Sequence, residues 1–328
     1  MQILLDLFGR TIDYLRISIT DKCNFRCKYC MPEGNVDSLK NDEILTLDEI
    51  IKICKSASEL GIKKIKITGG EPLLREDVIE LIKCIKRLPL INNVTLTTNG
   101  ALLYDKIQEL KESEIDSINV SLDSLVKEKF NDITRREEFD AVIKGIKEAI
   151  KNGIKVKINC VPIKNFNFDE ITNIALISKE KNVDVRFIEM MPMGLGQSFS
   201  GVSSKEILEV LEKEYGEFSK IENIDGNGPA TYYRNKEFRG SIGFISAVSN
   251  EFCKNCNRIR VTADGFLKPC LCYGSGFDIK NLIRNRIDEK ELTNAIKIGI
   301  LSKPEKHEFN EKKKSDKIEI RKMSQIGG

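Results

Sequence analysis

The 328-residue sequence predicts an α/β fold, a partial (β/α)6 TIM-like barrel followed by a cysteine-rich C-terminal extension that closes it. From residue 15 to about 215, short β-branched runs alternate with longer amphipathic stretches, as in parallel sheets with right-handed crossovers. The predicted strands are apolar nearly throughout, which is typical of sheets covered on both faces. A complete eight-fold barrel needs ~250 residues of repeats, so six units are expected here.

The repeat begins with a strand and continues with five more. The predicted strands are residues 15–20, 63–68, 93–98, 117–122, 155–162 and 183–190. Thr46 is the expected N-cap of a helix over 45–60, and a second helix is expected over 75–88, after the turn that reads GGEP. A doubly wound open sheet is the alternative, but the first turn lacks G-x-G-x-x-G and no G-x-x-x-x-G-K-[ST] occurs.

The composition changes after residue 217, where residues 232–249 predict antiparallel strands before a cysteine-rich loop and short helices. The expected division is therefore a barrel over 1–215, an extension over 216–300 and a flexible basic tail over 301–328. The tail holds eight Lys/Arg against five Asp/Glu, which is the whole net charge of +3. A balanced body offers no electrostatic footprint for duplex nucleic acid, and the tail is expected to be solvated.

Ten cysteines and one histidine restrict the chemistry. The single His307 lies in the tail and is expected to be solvated, so histidine metal centres and Ser-His-Asp triads are nearly excluded. The sequence has neither a signal-peptide pattern nor an apolar run of ~20 residues, and it is expected to be cytoplasmic and free of membrane contact. In that compartment clustered thiols indicate metal binding or catalysis.

Polar residues follow the predicted strands at the ends where parallel folds gather ligands. We expect them to converge on one mouth: Cys23–Cys30, Gly69–Pro72, Thr97–Gly100, Ser121–Asp123, Glu189 and Met191.

Two sets of three cysteines stand out. Cys23, Cys27 and Cys30 form C-x-x-x-C-x-x-C after the first strand, and three thiolates suit one face of an iron–sulfur cluster or a zinc ion with a distant ligand. The second set is Cys253, Cys256 and Cys270, with Cys272 as a candidate fourth ligand. Structural zinc is again the alternative.

Two arginines beside the second set and the three isolated cysteines are interpreted separately. Arg258 and Arg260 would point to one side of an extended segment, where paired guanidinium groups suit phosphate oxygens. Cys54, Cys84 and Cys160 are expected to be buried core residues.

Two motifs resemble those of radical S-adenosylmethionine enzymes. They are TDKCNFRCKYC, which holds the first cysteine set, and GGEPLL after the second strand. The resemblance implies a [4Fe–4S] cluster on Cys23, Cys27 and Cys30 that binds S-adenosylmethionine and, once reduced, releases a 5′-deoxyadenosyl radical. It implies the cofactor contacts Tyr29, Gly70, Ser121 and Met191. A Cβ at the glycine would block the approach of the methionyl group.

Further motifs are similar to those of the branch of this family that cyclises GTP in molybdenum cofactor biosynthesis. They are TLTTNG, NVSLDS, RFIEMMPMG, GSIGFISAVS, FCKNCNRIR and the terminal Gly-Gly. The resemblance implies a second [4Fe–4S] cluster on Cys253, Cys256 and Cys270. It implies GTP contacts at Arg16, Lys66, Thr97, Lys157, Arg258 and Arg260, and catalytic roles for Arg258, Arg260, Gly327 and Gly328.

The same resemblance implies a homodimer and a downstream cyclic pyranopterin monophosphate synthase that takes the product, while the electron donor stays open. Lys66 stands where many relatives have arginine, so it keeps the charge but lacks the bidentate fork. The alternative function is a radical S-adenosylmethionine enzyme that modifies peptides and carries an auxiliary cluster.

Overall fold

The computed structural model describes residues 4–34, 37–222, 228–309 and 318–327. Its strands are Tyr14–Ser18 (β1), Lys64–Thr68 (β2), Asn93–Thr98 (β3), Ser117–Ser121 (β4), Val156–Cys160 (β5), Asp184–Ile188 (β6), Ser219–Ile221 (β7), Thr231–Arg234 (β8), Ile242–Ile245 (β9), Arg258–Val261 (β10), Phe266–Lys268 (β11) and Phe277–Asp278 (β12). Its helices are Leu47–Glu59 (α1), Val78–Lys86 (α2), Leu103–Glu112 (α3), Lys127–Thr134 (α4), Phe139–Lys151 (α5), Ile171–Glu180 (α6), Ser204–Tyr215 (α7), Ile279–Arg284 (α8), Glu289–Leu301 (α9) and Met323–Ile326 (α10).

The six predicted strands of the barrel are present as β1 to β6, and neighbours along the chain pair in parallel. Each is followed by at least one helix, and β4 is followed by two. The partial barrel is therefore confirmed, with strand ends that differ from the prediction by a few residues. Among the described residues, no helix is both long enough and apolar enough to cross a membrane.

The C-terminal extension adds strands to both edges of the same sheet. Its order is β12-β11-β10-β1-β2-β3-β4-β5-β6-β9-β8-β7. β10 pairs in parallel with β1, and β9 pairs in parallel with β6, while the outer strands are antiparallel. The antiparallel β8–β9 pair was predicted. The parallel pairing of β9 with β6 and of β10 with β1 was not predicted. The β10–β1 pairing places the second cysteine set beside the first strand.

The core lies between the sheet and its helices. Thr46 and Glu49 form a reciprocal capping box that starts α1, as predicted. The apolar face of α1 is buried, including Cys54, and Cys160 on β5 is buried as well. The prediction for Cys84 was wrong: its thiol is half-buried at the edge of α2 and donates to Glu80 Oε1 at 3.3 Å.

The described parts of the tail, residues 301–309 and 318–327, pack against the body. The expectation of a solvated tail was wrong for these parts, since Lys303, Glu319 and Ile326 are buried. His307 was also expected in solvent, but only 5% of it is exposed, and its backbone N–H donates to Cys253 Sγ at 3.4 Å. The prediction from charge was wrong because the charged groups of Lys303 and Glu319 find hydrogen-bond partners in the folded chain.

Candidate active site

Strand register brings the predicted cations together. Arg16 on β1 is the direct partner of Arg260 on β10 and of Lys66 on β2. Partners in a parallel pair project to the same face of a sheet, so three residues far apart in sequence form one row. Thr97 and Lys157 lie in a second row, each paired with Asn119 on β4.

These rows face a cavity of about 960 Å³ that runs through the barrel. Residues from every strand end that the sequence singled out line it. Of the predicted site residues, the cavity is lined by Arg16, Cys23, Cys27, Tyr29, Cys30, Lys66, Gly70, Thr97, Ser121, Lys157, Met191, Cys253, Cys256, Arg258, Arg260 and Cys270. The expected mouth is confirmed, and both cysteine sets open onto the same space.

The first cysteine loop is held from two sides by backbone hydrogen bonds. The N–H groups of Arg26 and Lys28 donate to carbonyls at the end of α4, at 3.0 and 2.9 Å. On the other side Gly70 N–H donates to Thr20 O at 2.7 Å, and Glu71 N–H to Lys22 O at 2.8 Å. A Cβ on Gly70 would lie 2.3 Å from Lys22 O. The glycine is therefore required by the cysteine loop itself, a reason that the sequence did not give.

Burial dominates the electrostatics of the first loop. It raises the pKa of the Cys30 thiol to about 12 and that of Cys27 well above its ordinary value. Tyr29 OH donates to Asp123 Oδ2 at 2.6 Å, while Val161 N–H donates to Asp123 Oδ1 at 2.8 Å. Burial raises the pKa of Asp123 to about 6. Buried thiols become ligands only when a metal displaces their protons, as thiolate centres require.

The second set has a more cationic setting. Burial raises the pKa of Cys256, but Arg258 and Lys303 outweigh it and lower the value to about 6. Lys303 Nζ is fixed by Arg258 O at 2.7 Å and by Pro269 O at 2.8 Å. Arg10 supports the loop from the other side by donating to Cys253 O at 2.9 Å. Cations that favour the thiolate form suit a metal-binding cysteine.

The donor chemistry fits iron–sulfur clusters. All ten cysteines are free thiols. Within the part of the chain that the structure describes, no three His, Cys, Asp or Glu side chains are placed around one metal ion. Three thiolates on a cluster bind three different irons, so they need not converge on one point. The first set is therefore better suited to a cluster than to a single zinc ion.

The cationic rows repel one another unless an anion binds. Burial lowers the pKa of Lys66 well below its ordinary value, and Arg186, Arg16 and Lys157 add to the effect. Burial followed by Arg16 lowers the pKa of Arg260 in the same way. Lys157 has an anionic neighbour, because Asp184 Oδ2 lies 2.9 Å from its Nζ. Such a cluster of buried positive charge is stabilised by a polyanionic ligand.

Relatives of known name match nearly the whole chain. A GTP 3′,8-cyclase of Clostridium perfringens (strain 13 / Type A) is 47% identical over 323 residues, which are 98% of this chain and 99% of that protein. One from Petrotoga mobilis is 43% identical over 99% of this chain and 100% of its own length. The chain belongs to the GTP 3′,8-cyclase family.

Two family models match consecutive parts of the chain. Residues 17–176 match the Radical SAM superfamily, and residues 183–309 match Molybdenum Cofactor Synthesis C. Membership of the radical SAM superfamily implies a [4Fe–4S] cluster and S-adenosylmethionine.

Solved structures confirm the fold of this cyclase family member. Streptococcus suis SuiB bound to the precursor peptide SuiA has a TM-score of 0.64 at 15% identity, over 91% of this chain and 72% of that one. SuiB bound to S-adenosylmethionine has a TM-score of 0.62 at 16% identity, over 87% of this chain and 67% of that one.

Sequence reasoning missed one residue that lines the cavity and a second residue that makes room for it. Arg186 on β6 lines it, is only 8% exposed and donates to Asn119 Oδ1 at 2.5 Å. Gly243 on β9 makes room, since a Cβ there would lie 2.8 Å from Arg186 Cγ. The signal was available, because Arg186 is a cation flanked by apolar residues within a strand, just as Lys66 is. Asp123 was named as a strand-end residue, but its bond to Tyr29 was not foreseen.

Of the two terminal glycines, Gly327 lies within the residues that the structure describes. Gly327 is buried, and its carbonyl accepts a hydrogen bond from Arg260 Nη1 at 2.7 Å. Its φ of +75° is left-handed, where glycine is favoured. Gly328 lies outside the described residues.

Proposed function

We propose that the chain is a GTP 3′,8-cyclase that holds GTP between two [4Fe–4S] clusters and forms 3′,8-cyclo-7,8-dihydro-GTP in molybdenum cofactor biosynthesis. The observation that carries the proposal is one cavity lined by two cysteine triads and by buried arginines and lysines. When bound, the first cluster and S-adenosylmethionine supply a 5′-deoxyadenosyl radical that takes the 3′ hydrogen of the ribose. Every named relative described above carries the same activity in its name.

The cations of the cavity bind the triphosphate. A triphosphate carries about four negative charges that need partners, and Arg16, Lys66 and Arg260 lie side by side across three strands. Arg258 precedes this row on β10, and Thr97 and Lys157 lie in the second row, on β3 and β5. Arg186 joins them as a contact with the same chemistry. Lys157 also contacts Asp184, so we assign it a smaller share of the phosphate charge.

The first cysteine set holds the cluster that cleaves the cofactor. Cys23, Cys27 and Cys30 would hold this cluster through their thiolates, and the cluster would supply the electron that cleaves S-adenosylmethionine. The cofactor lies against Tyr29, Gly70, Ser121 and Met191, all of which line the cavity. The Tyr29–Asp123 hydrogen bond ties the cysteine loop to the end of β4, where Ser121 lies.

The second cysteine set holds the cluster that binds the guanine base. Cys253, Cys256 and Cys270 are its ligands, and the cationic setting of Cys256 favours its thiolate. Cys272 is fully buried and lines the cavity as well. Iron and sulfide content of Cys270→Ser, Cys272→Ser and the double variant assigns the third ligand. We expect the loss of one cluster with Cys270→Ser alone, and retention with Cys272→Ser.

The division of labour follows the predicted segments: 1–215 for radical formation, 216–300 for base binding and 301–328 for the tail that carries Gly327 and Gly328. Arg258, Arg260 and the two glycines are the proposed catalytic residues. A cytoplasmic homodimer that passes its product to cyclic pyranopterin monophosphate synthase is part of the same proposal, and it rests on the family resemblance.

Deuterium transfer tests the activity. The reduced, cluster-loaded protein is incubated without oxygen with S-adenosylmethionine and either GTP deuterated at C3′ or unlabelled GTP. We expect 5′-deoxyadenosine formation to depend on GTP and the deuterium to appear in the 5′-deoxyadenosine. ATP serves as the matched control, because it offers the same triphosphate without guanine. Two results would refute the proposal: 5′-deoxyadenosine that forms equally well without GTP, or 5′-deoxyadenosine that carries no deuterium after reaction with GTP deuterated at C3′.

A further inference from the structure

We propose that a buried ion pair between Lys268 and Glu319 anchors the C-terminal segment, residues 318–327, and thereby positions its end in the cavity. Lys268 is the last residue of β11, two positions before Cys270. The two side chains are 0% and 1% exposed, and Lys268 Nζ donates directly to Glu319 Oε2. Both residues are therefore positioning residues rather than catalytic ones.

Backbone contacts align the start of the segment with the extension. Glu319 N–H donates to Cys272 O at 2.8 Å, and Ile318 forms an antiparallel bridge with Tyr273. Lys268 Nζ also donates to Tyr273 O at 2.5 Å. One lysine thus holds both sides of this short pairing, the loop after Cys270 and the returning tail.

A second cation completes the anchor. Arg321 donates from Nε to Glu319 Oε1 at 3.1 Å and from Nη2 to Glu319 Oε2 at 3.0 Å. Its guanidinium lies 4.7 Å from the ring centroid of Phe266, at the start of β11. The carboxylate therefore accepts from two cations, which is the arrangement that makes a buried charge tolerable.

The segment beyond the anchor reaches the first cysteine set and the cationic row. The helix α10 follows directly, and its Ile326 is 1% exposed. The backbone of Ser324 hydrogen-bonds the Cys30 thiol, while Gly327 O accepts from Arg260. Movement of the anchor would displace contacts on the radical side and on the phosphate side together.

Loss of one partner should release the segment rather than unfold the barrel. A buried charge without its partner is strongly destabilising, and the chain relieves it through the least costly opening. The segment 318–327 pairs with the extension through a single bridge, Ile318 with Tyr273, and not through a ladder like those of the parallel strands, so we expect it to open before they do.

Amide hydrogen exchange of the anaerobic, cluster-loaded full chain tests the anchor. Glu319→Gln and Lys268→Met should each accelerate exchange within 318–327 at least ten-fold and leave β2 to β5 unchanged. The double variant should accelerate exchange by less than the product of the two single effects, because the residues act as a pair. Glu289→Gln, which breaks an exposed ion pair with Lys55 at 2.7 Å, is the matched control and should leave the segment unchanged.

Kinetics separates positioning from stability. If the GTP cyclase activity proposed above holds, both single variants should lower kcat and leave the KM for S-adenosylmethionine within two-fold. Exchange in 318–327 within two-fold of the parent in both variants would overturn the anchor, as would equal acceleration in β2 to β5. Exchange requires no GTP, so a parent protein without GTP-dependent chemistry would refute the function and still leave the anchor testable.

Discussion

Gly70→Ala tests what the glycine after β2 is for. The added Cβ would lie 2.3 Å from Lys22 O and 2.6 Å from Asp21 O. Both contacts are backbone atoms of the first cysteine loop, which side-chain rotation cannot relieve. Ordinary contact begins near 3.4 Å, so the turn and the loop must separate by about 1 Å.

The separation acts on two backbone hydrogen bonds, Gly70 N–H to Thr20 O at 2.7 Å and Glu71 N–H to Lys22 O at 2.8 Å. A net contribution of ~0.5–1.5 kcal/mol for each gives a loss of about 1–3 kcal/mol. At ~1.4 kcal/mol for each factor of ten, the closed loop becomes about five-fold to more than a hundred-fold less populated. We expect less iron per chain after reconstitution, and cofactor cleavage reduced in the same proportion.

The assay measures iron and sulfide per chain, thermal stability and S-adenosylmethionine affinity for Gly70→Ala. Gly34→Ala is the matched control, because a Cβ there meets nothing within 4 Å. A Gly70→Ala protein with full iron and unchanged stability, but weaker cofactor binding, would refute the loop argument. It would show instead that the glycine serves the approach of the ligand, as the sequence alone suggested.

Four further changes have defined outcomes. Gly327→Ala puts a Cβ 3.0 Å from Ser18 Cβ at a φ of +75°, so we expect a lower kcat. Gly153→Ala is the control, because Gly153 has a similar φ of +77° and a Cβ there meets nothing within 4 Å. The control variant should only lower the melting temperature. Asp123→Ala and Tyr29→Phe should each weaken S-adenosylmethionine binding, because each removes the Tyr29–Asp123 hydrogen bond. Their double variant should bind no more weakly than Asp123→Ala alone. Lys303→Met should lower the iron content, because it removes a cation that stabilises the Cys256 thiolate, and Lys297→Met on the exposed face of α9 should not. Burial raises the pKa of Glu49, but Arg284 outweighs it and lowers the value below 4.5, so the stability that Glu49 contributes is present above that pH and lost as the pH falls below it.

These outcomes can fail in identifiable ways. An unchanged kcat in Gly327→Ala would remove the glycine from the mechanism. Additive losses in the Asp123 and Tyr29 double variant would mean independent roles, and full iron in Lys303→Met would separate the lysine from cluster assembly. For Glu49→Gln, the difference in melting temperature from the parent should be constant above about pH 5 and shrink as the pH falls below 4.5. A difference that does not change as the pH falls below 4.5 would contradict the assigned cause.

Local pattern was enough for much of the fold. The six β/α units follow from alternating apolar runs, and Thr46 marked the start of α1 because a capping box is a short-range signal. The two cysteine triads were visible as spacings. The paired arginines of β10 followed from strand alternation, which fixes the face of each side chain.

Tertiary structure decided what distant residues share. β9 and β10 join the barrel in parallel, and no local pattern encodes which strand a β-strand will pair with. The β10–β1 pairing sets Arg260 beside Arg16. The β9–β6 pairing sets Gly243 beside Arg186, and the missing Cβ of the glycine leaves room for the arginine side chain.

The sequence by itself determined the composition of the site: thiolates in two triads, cations in apolar strands, glycines at a turn and at the terminus. Only the tertiary structure decided that the described parts of a charged tail, residues 301–309 and 318–327, are packed rather than solvated. Lys268 and Glu319 are 51 residues apart along the chain, and each alone is a costly group to bury. They become compatible with the core only as a pair, and a pair is a property of the folded chain.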